Sequence, residues 1–417
     1  MKSPSFIRPV QIACFGLALA VCVGSIRAQE GPGTQQEQPK TVRYTVTDLG
    51  TLGGTYSFAY SINSLGVVAG GAATASQTNG VSQTAVVWYH GHPINLGTLG
   101  GSDCPDCSSE GAAAIVNGTV VILSETAEGG AQNDEDFCGF GTHHQCLAGI
   151  WKNGTLSALP TLSGGKNSQA VWANNHGQII GFSENGVGDT TCGTATPFQT
   201  THFEAVIWEP DGEIRELSPL SGDTVSFAFG LNDKGQAAGV SGLCANTSVP
   251  PFTAGPQAPH AVLWERDGSM ISIGSLVSDG TINIPGGINN RGHVAGGSQS
   301  SSGAPHAFLW TPETGMEDLG TLDGDFFSTA PCCHTINERD EVVGVSFPGP
   351  QGSGRAFVWT KEGGMQDLND LIPGGSGLYL QEASSVNDAG EIVGWGVNPN
   401  GEIHAFLLTP VRFWKRE

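Results

Sequence analysis

The stretch Ile288-Asn289-Asn290-Arg291-Gly292-His293-Val294-Ala295-Gly296 is followed by His306-Ala307-Phe308-Leu309-Trp310, and this pair of phrases recurs along the chain. The first phrase recurs with its Asn at positions 63, 174, 232, 289, 337 and 387. The interval between positions 63 and 174 is about twice as long as the others, and residues 115–121 form a divergent copy of the phrase within it. The second phrase occurs seven times, starting at residues 85, 148, 205, 260, 306, 355 and 404. A repeat of roughly fifty residues therefore organises the chain.

Each repeat is predicted to contain four short strands, which we label A to D. Strand A is the Ser-x-Ala-x-x-Ile-Asn segment, and an Asn- and Gly-bearing turn leads to strand B, Val-Val-Gly. Strand C is the His-Ala-Phe-Leu-Trp phrase, and a Gly-bearing turn leads to strand D, Met-x-Asp-Leu-Gly. Four antiparallel strands at this period are typical of a β-propeller.

The two ends of the repeat array complement each other. The last repeat stops after strand C, whereas residues 44–50 resemble a strand D that precedes the first repeat. If the N-terminal strand pairs with strand C of the last repeat, no sheet edge stays exposed. The sequence therefore predicts an all-β protein: a seven-bladed β-propeller with four antiparallel strands per blade, closed by that pairing.

The N-terminus resembles a secretory signal peptide. Lys2 and Arg8 precede an apolar run over residues 12–23, and Ala28 fits the position before a cleavage site. The run is too short to span a membrane stably. We expect a signal peptide (1–28), a polar linker (29–43), the propeller (44–410) and a C-terminal tail (411–417). Lipidation at Cys22 is an open alternative, because residues 19–22 approximate a lipobox.

The charge balance argues against one class of partner. The chain has 17 basic and 39 acidic residues, and removal of the signal peptide leaves 14 basic residues and a net charge of −25. Such a surface repels phosphate backbones, so we expect no nucleic-acid partner. We expect a secreted, extracellular monomer without a membrane span in the mature chain; cell-surface or periplasmic location is the alternative.

Insertions are confined to one predicted face of the propeller. The B–C loops at 124–145, 183–202 and 241–259 and the D–A loops at 101–111 and 323–334 are long, whereas the A–B and C–D turns are short. Function concentrates on loops that a rigid scaffold holds, so this long-loop face is the predicted site. The mature cysteines are all assigned to it: Cys104, Cys107, Cys138, Cys146, Cys192, Cys244, Cys332 and Cys333.

An even number of cysteines in an exported protein indicates disulfides before metal ligands. Loop proximity favours Cys138 with Cys146 and Cys192 with Cys244. The Cys104-Pro105-Asp106-Cys107 segment fits either a small loop disulfide or a redox dithiol, and Cys332-Cys333 fits a vicinal bridge or separate partners. We expect no cofactor or metal, although the acidic stretches 133–136 and 323–325 leave calcium as an alternative.

No catalytic motif is present: the sequence has no nucleophile elbow, phosphate-binding loop or zinc-protease helix. The His that begins strand C in several repeats and the recurrent Trp are interpreted as structural. The ligand-binding candidates are therefore polar residues of the long-loop face: Asp103, Asp106, Asp134, Asp136, His143, His144, Asp189, His202, Asp223, Asp325 and His334.

The recurrent phrases resemble the extracellular HAF repeat family, named for the His-Ala-Phe triplet that occurs here at residues 306–308 and 404–406. The resemblance covers residues 44–408 and implies an exported bacterial protein. The family has no established activity to carry over to this chain.

The sequence is therefore compatible with three functional hypotheses from different classes. The favoured hypothesis is a non-enzymatic module that binds an extracellular glycan or protein through the long-loop face. The alternative is a polysaccharide-active hydrolase or lyase that uses acidic and His residues of that face, and a third hypothesis is a purely structural surface protein. Acidic and His side chains that converge at the mouth of the central channel favour the enzyme, whereas a flat or aromatic face favours binding.

Overall fold

The computed structural model describes residues 43–411, except 78–81, 116, 130–136, 141, 193–199, 248–257, 332–333 and 350–351. The predicted signal peptide, the linker up to residue 42 and the tail from residue 412 lie outside the described residues. Within the described part, no helix has the length and apolar content needed to cross a bilayer.

Twenty-eight strands and two short 3-10 helices, Gly101–Asp103 and Leu368–Asp370, have defined bounds in the described residues. The first strand, β1, is Tyr44–Gly50. Repeats 1 to 3 comprise β2 (Gly53–Ile62), β3 (Val68–Thr74), β4 (Thr84–Tyr89), β5 (His92–Gly97); β6 (Ser109–Ala114), β7 (Val120–Gly129), β8 (His144–Lys152), β9 (Thr155–Ala158); and β10 (Ser168–Ala173), β11 (Ile179–Gly188), β12 (Thr201–Trp208), β13 (Ile214–Leu217).

The remaining strands follow the same order. Repeats 4 and 5 comprise β14 (Val225–Leu231), β15 (Ala237–Gly242), β16 (His260–Trp264), β17 (Met270–Gly274); and β18 (Asn283–Ile288), β19 (Val294–Gln299), β20 (Pro305–Thr311), β21 (Gly315–Asp318). Repeats 6 and 7 comprise β22 (Phe327–Thr329), β23 (Val342–Phe347), β24 (Arg355–Thr360), β25 (Gly364–Asp367); and β26 (Tyr379–Val386), β27 (Ile392–Val397), β28 (Ile403–Pro410).

The strands pair repeat by repeat. Repeats 2 to 6 each form a four-stranded sheet in chain order, with antiparallel neighbours. The other eight strands form one connected set, in which β1 pairs antiparallel with β28 and a single parallel bridge, Tyr56 to Ile403, joins β28 to β2. The predicted pairing of the N-terminal strand with strand C of the last repeat is therefore observed, with Tyr44 opposite Pro410.

The Ser of strand A connects neighbouring repeats. Its hydroxyl oxygen accepts a hydrogen bond from the backbone N–H of the strand C Ala in the preceding repeat, as between Ser57 and Ala405 at 2.9 Å. The same bond joins Ser109 to Ala85, Ser168 to Ala148, Ser226 to Ala205, and Ser328 to Ala307. A small buried hydroxyl thus satisfies a backbone donor at the junction between two sheets.

The Asn of the A–B turn provides a second connection. Its side-chain amide N–H donates to the backbone carbonyl of the corresponding Asn in the next repeat, with N–O distances of 3.0 to 3.1 Å. The bonds run from Asn174 to Asn232, then to Asn289, Asn337, Asn387 and finally Asn63. We call these residues the asparagine ring. They also fix their own turns, since Asn337 Oδ1 accepts the N–H groups of Arg339 and Glu341.

Repeat 2 departs from this pattern. The backbone bond that the ring Asn makes to the residue four positions later is made there by Ile115, whose N–H donates to Thr119 at 2.8 Å. Ile115 therefore occupies the ring position, and Asn117 instead caps its own turn through Thr119. The divergent copy at 115–121 therefore keeps the backbone hydrogen bond of the turn but lacks the side-chain amide bond to the next repeat.

The recurrent Gly of strand B reflects a close backbone approach. Strand A is bulged opposite this residue, for example between Ala59 and Ser61. A Cβ placed on Gly70 would lie 2.0 Å from the carbonyl oxygen of Phe58, and one on Gly239 equally close to that of Phe227. Only glycine fits, which explains why this residue closes the Val-Val-Gly phrase.

The long-loop assignments need correction at their edges. The B–C segment of repeat 2 is partly strand, because β7 continues to Gly129 and β8 begins at His144, so Cys146 lies within strand C. His202 likewise lies within β12. In repeat 6, β22 (Phe327–Thr329) precedes His334, so His334 comes after the start of strand A and not in the D–A loop. The prediction for His334 is therefore wrong in its structural element.

Three disulfides join the described cysteines: Cys104–Cys107, Cys138–Cys146 and Cys192–Cys244. The two pairings that loop proximity favoured are confirmed, and the 104–107 segment forms the small loop disulfide. The Cys192–Cys244 bond joins the B–C hairpins of repeats 3 and 4. Cys332 and Cys333 lie outside the described residues.

We predict that replacing Asn337 by Ala destabilises the fold more than the same change at Asn398. Both side chains accept two backbone N–H groups of their own turn, but only Asn337 donates to a neighbouring repeat and is buried. The difference in unfolding free energy should be about 1 to 2 kcal/mol, measured by chemical denaturation. Equal losses of unfolding free energy in the two variants would show that the bond from Asn337 to the next repeat does not stabilise the fold.

We predict that the two longer-range disulfides differ in their contribution. They close chain segments of 52 and 8 residues. Constraint of the unfolded chain then gives about 4 kcal/mol for Cys192–Cys244 and about 2.5 kcal/mol for Cys138–Cys146. Replacing both cysteines of one disulfide by Ala and measuring denaturation under oxidising conditions tests this order. A larger loss of unfolding free energy for the Cys138–Cys146 pair would contradict it.

Candidate functional site

Two glutamates lie on the A strands that flank strand A of repeat 1. Counting back from the A–B turn, Glu110 in β6 and Glu382 in β26 both occupy the place that Phe58 has in β2. Strand β2 contacts both β6 and β26. The A strands thus bring two acidic side chains to the same level of neighbouring repeats.

Glu110 is held in a polar cluster although only 3% of its surface is exposed. The Gln83 side-chain amide donates to Glu110 Oε2 at 2.7 Å. The Tyr60 hydroxyl, from the neighbouring β2, donates to the same carboxyl group. These bonds fix the carboxyl group between repeats 1 and 2.

Glu382 is in a more open setting on the other side of β2. The Trp395 side chain, opposite it on β27, hydrogen bonds to its carboxyl group. Trp395 packs edge-on against Phe58, with ring centroids 5.8 Å apart, and Phe58 stacks on Tyr60 at 6.2 Å. Glu382 and the three aromatic rings are partly exposed, so they form an accessible aromatic and acidic wall. We call Tyr60, Glu110 and Glu382, with Phe58 and Trp395, the channel cluster.

Burial changes the protonation of this cluster. Loss of solvation raises the pKa of Glu110 to about 8, against the opposing effect of the hydrogen bonds from Tyr60 and Gln83. It also raises the pKa of Glu382 to about 7, and Trp395 opposes this. Burial, and next the charge of Glu110, raise the pKa of Tyr60 well above 10. One carboxyl group is thus protonated at neutral pH while the other titrates there, a pairing that suits acid–base chemistry.

Sequence reasoning missed the channel cluster because its members lie inside strands and not on the long loops. The place of Glu110 and Glu382 is filled by Phe58, Gln169 or Phe227 in other repeats. A signal was present, since a carboxylate replaces an apolar or neutral residue only in these two repeats. Reading it required the repeats to be aligned by their strand A residues.

The A–B turns enclose a cavity of about 90 Å³ at the other end of the A strands. The members of the asparagine ring other than Asn337 line it, together with Asp233, Glu338, Asp388 and Trp172. His334, which follows β22 in repeat 6, also lines it: its ring stacks on Trp172 at 4.7 Å, and its Nδ1 lies 3.1 Å from the carbonyl oxygen of Val386. Burial lowers the pKa of His334. His334 therefore does not belong to the long-loop face, contrary to the prediction from the sequence.

The other predicted candidates do not converge on one site. They form separate pairs: His144 Nε2 lies 3.4 Å from Asp106, and His202 Nε2 lies 3.0 Å from Asp189. Hydrogen bonds from Thr191 and then His202 lower the pKa of Asp189 to about 2. Asp103 and His143 are exposed, and Asp134 and Asp136 lie outside the described residues.

Asp325 and Asp223 are engaged in structural contacts. The Asp325 side chain lies 2.8 Å from the Arg355 guanidinium, and this ion pair engages its carboxylate. Asp223 accepts from the Ser241 hydroxyl at 2.6 Å and lies 2.8 Å from His260 Nδ1. Ser and His both contact the carboxylate and not each other, so this group lacks the order of a catalytic triad.

In repeats 5 and 7, the His that begins strand C pairs with an Asp of strand D. His306 contacts Asp318 at 3.0 Å, and His404 contacts Asp48 of β1 at 2.8 Å. Arg355 takes the same place in repeat 6 and reaches Asp367 at 3.5 Å. This contact couples the His-Ala-Phe and Asp-Leu-Gly phrases of one sheet, which is a structural role.

No family model and no curated protein matches the chain. Solved structures do match it at low identity. A virginiamycin B lyase from Staphylococcus aureus is 12% identical, with 88% of this chain and 100% of that one covered and a TM-score of 0.45. A gluconolactonase from Xanthomonas campestris is 14% identical, with 89% and 91% covered and a TM-score of 0.39.

A puromycin hydrolase matches with a TM-score of 0.52 at 12% identity, over 88% of this chain. This chain spans 55% of the length of that hydrolase. The structural neighbours are propeller hydrolases and lyases. At these identities the likeness concerns the fold alone: the chain is an all-β protein of the β-propeller type.

We predict that Glu110→Gln removes a pH-dependent loss of stability. The folded-state pKa of Glu110 is raised from 4.5 to about 8, so the folded state holds a proton that the unfolded state has lost between these values. Stability therefore falls as pH rises through this window, by at most about 1.4 kcal/mol for each pH unit. Denaturation from pH 5 to 9 should show a steeper fall for the native protein than for the variant, which keeps only the contributions of Glu382 and Glu204; parallel curves would contradict it.

Proposed function

We propose that this chain is an exported hydrolase of neutral polysaccharides, built on a seven-bladed propeller of the HAF repeat type, with Glu110 and Glu382 as its acid–base pair. The observation that carries the proposal is the pair of carboxyl groups with raised pKa values on the A strands that flank β2. Two acidic side chains on strands that both contact β2 are a feature that the enzyme hypothesis needs and the binding hypothesis does not. The proposal thus prefers the enzymatic alternative.

The blade number is supported by strand arithmetic. Five four-stranded sheets and one eight-stranded set account for the 28 strands, and the eight-stranded set splits at its single bridge into β2–β5 and β26–β28 with β1. The bond from Asn387 to Asn63 links the last repeat to the first. Export is supported by the three disulfides, which persist in oxidising compartments.

The proposed reaction assigns one role to each carboxyl group. Glu110, protonated at neutral pH, donates its proton to the glycosidic oxygen as the bond to the sugar breaks. Glu382, ionised, takes a proton from the attacking water, whose oxygen forms the new bond to the anomeric carbon. Tyr60 is a positioning residue, since its hydroxyl donates to Glu110 and holds that carboxyl group in place.

The surroundings favour a neutral sugar. Phe58 and Trp395 present partly exposed ring surface beside Glu382, and aromatic faces pack well against the apolar faces of sugar rings. The mature net charge of −25 repels acidic polysaccharides. A lyase needs the acidic carbon–hydrogen bond beside a uronate carboxyl group, so the charge argument also favours hydrolysis over elimination.

We predict a bell-shaped pH dependence of kcat/KM on neutral polysaccharides. Activity should rise as Glu382 ionises near pH 7 and fall as Glu110 loses its proton near pH 8. Glu110→Gln and Glu382→Gln should each lower kcat by about 10²- to 10⁴-fold. Reducing-end release from a panel of neutral and acidic polysaccharides measures both effects.

The matched control is Glu204→Gln. Burial, and next a hydrogen bond with Glu216, also raise the pKa of Glu204 to about 7, but this side chain lies on strand C of repeat 3, outside the channel cluster. It should leave kcat unchanged. Polysaccharide binding without turnover would support the binding module instead, and cleavage of acidic polysaccharide alone would support the lyase. Equal loss in the control and the channel variants would contradict the assignment of the site.

A further inference from the structure

Four potential metal ligands meet where the D–A loop after β5 contacts the start of β8. The loop contributes Cys104, Asp106 and Cys107, and β8 contributes His144. The two sulfurs are joined in a disulfide and the cysteines are 4% and 3% exposed, whereas the Asp106 side chain is 69% exposed. A buried sulfur pair thus lies beside one imidazole and one solvent-accessible carboxylate.

The distances within this group match the edges of a tetrahedral zinc site. His144 Nε2 lies 3.5 Å from Cys104 Sγ and 3.4 Å from Asp106 Oδ2, and Cys104 Sγ lies 3.5 Å from Asp106 Oδ1. Tetrahedral Zn²⁺ with its usual bonds to sulfur, nitrogen and oxygen places such ligand pairs about 3.3 to 3.6 Å apart. His144 Nε2 and Cys104 Sγ are therefore already spaced for one metal ion. The Asp106 carboxylate approaches them through different oxygens, Oδ2 and Oδ1, so this exposed side chain has to rotate for one oxygen to serve both, and Cys107 Sγ is held by its bond to Cys104.

The orientation of His144 supports this geometry. Its Nδ1 is buried and has no hydrogen-bond partner among the described residues. The polar contacts of the ring to Cys104 and Asp106 are made through Nε2. The imidazole therefore directs its metal-binding nitrogen at the sulfur and the carboxylate.

We propose that the 104–107 disulfide is a redox switch, and that its reduction creates a Cys104–Cys107–His144–Asp106 zinc site. An external dithiol breaks the sulfur–sulfur bond, is itself oxidised to a disulfide, and leaves two thiols on this chain. Zn²⁺ then binds both sulfurs as thiolates with release of two protons, and His144 Nε2 and an Asp106 oxygen complete the shell. A two-residue spacer between cysteines is common to small disulfides and zinc sites.

Charge explains why the reduced loop favours a metal. Two thiolates and one carboxylate concentrate three negative charges, and a divalent cation compensates most of this charge in a partly buried place. The other Cys and acid group, Asp189, Cys192 and Cys244, is less suited. Its cysteines are 52 residues apart, and its nearby His202 is bound to Asp189 at 3.0 Å.

The test compares zinc binding before and after reduction of the folded protein. All variants carry Cys192→Ala and Cys244→Ala, which removes the second group of possible ligands. The protein is treated with a dithiol, freed of reductant without air, equilibrated with Zn²⁺ alone, desalted and analysed for metal. Co²⁺ in place of Zn²⁺ reports tetrahedral thiolate ligation by its visible absorption.

We expect the reduced protein to retain a zinc ion that the oxidised protein does not bind. His144→Ala keeps the disulfide, and so the oxidised fold, but should lose this ion; His143→Ala, at the neighbouring exposed histidine, should keep it. Cys104→Ser with Cys107→Ser should also lose it. Absence of zinc from the reduced protein, or equal zinc in the His144 and His143 variants, would overturn the proposal and leave the disulfide as a structural link.

Discussion

The fold depends on how each repeat is joined to the next, since a four-stranded sheet of this size does not bury both of its faces alone. The asparagine ring supplies the most regular of these joints. One side chain does two tasks: its oxygen organises the A–B turn, and its amide N–H reaches the carbonyl of the next turn. The bonds run from repeat 3 through repeat 7 to repeat 1, so each of these repeats is positioned against the next; repeat 2, with Ile115 at this place, lacks the bond.

This rigid frame explains how acidic side chains are kept in the channel cluster. Burial of Glu110 at 3% exposure is unfavourable for its charged form, so the surrounding sheets must hold it in place. Strand A of three repeats carries Glu110, Tyr60 and Glu382, with the two glutamates at the same level, and β2 is bulged at Tyr60, between Ala59 and Ser61. Stability and proposed chemistry therefore draw on the same innermost strands.

The sequence allowed the repeat, the strand order, the pairing of β1 with β28 and two disulfide pairs to be predicted, because each leaves a periodic or local trace. Glu110 and Glu382 leave only a trace that is visible after the repeats are aligned by strand A, since they replace apolar or neutral residues inside strands, and their places on either side of β2 come from packing. His334 was assigned to the wrong element because strand A of repeat 6 is three residues longer in the sequence than strand A of other repeats. Without a structure, this extra length resembles a longer D–A loop. Ile115 shows the reverse case: the sequence phrase of the A–B turn has diverged, but the backbone hydrogen bond of the turn is kept.

The pairing of β1 with β28 also constrains how the chain reaches its native state. Thr45 bonds to Thr409, 364 positions away, so a strand made among the first waits for a partner made among the last. Local hairpins can form early, but this contact carries the largest loop-closure cost and comes late in any folding route. Until then β28 has an open edge that can pair with other chains, so for this protein the interval between synthesis and closure is the period of greatest risk of aggregation.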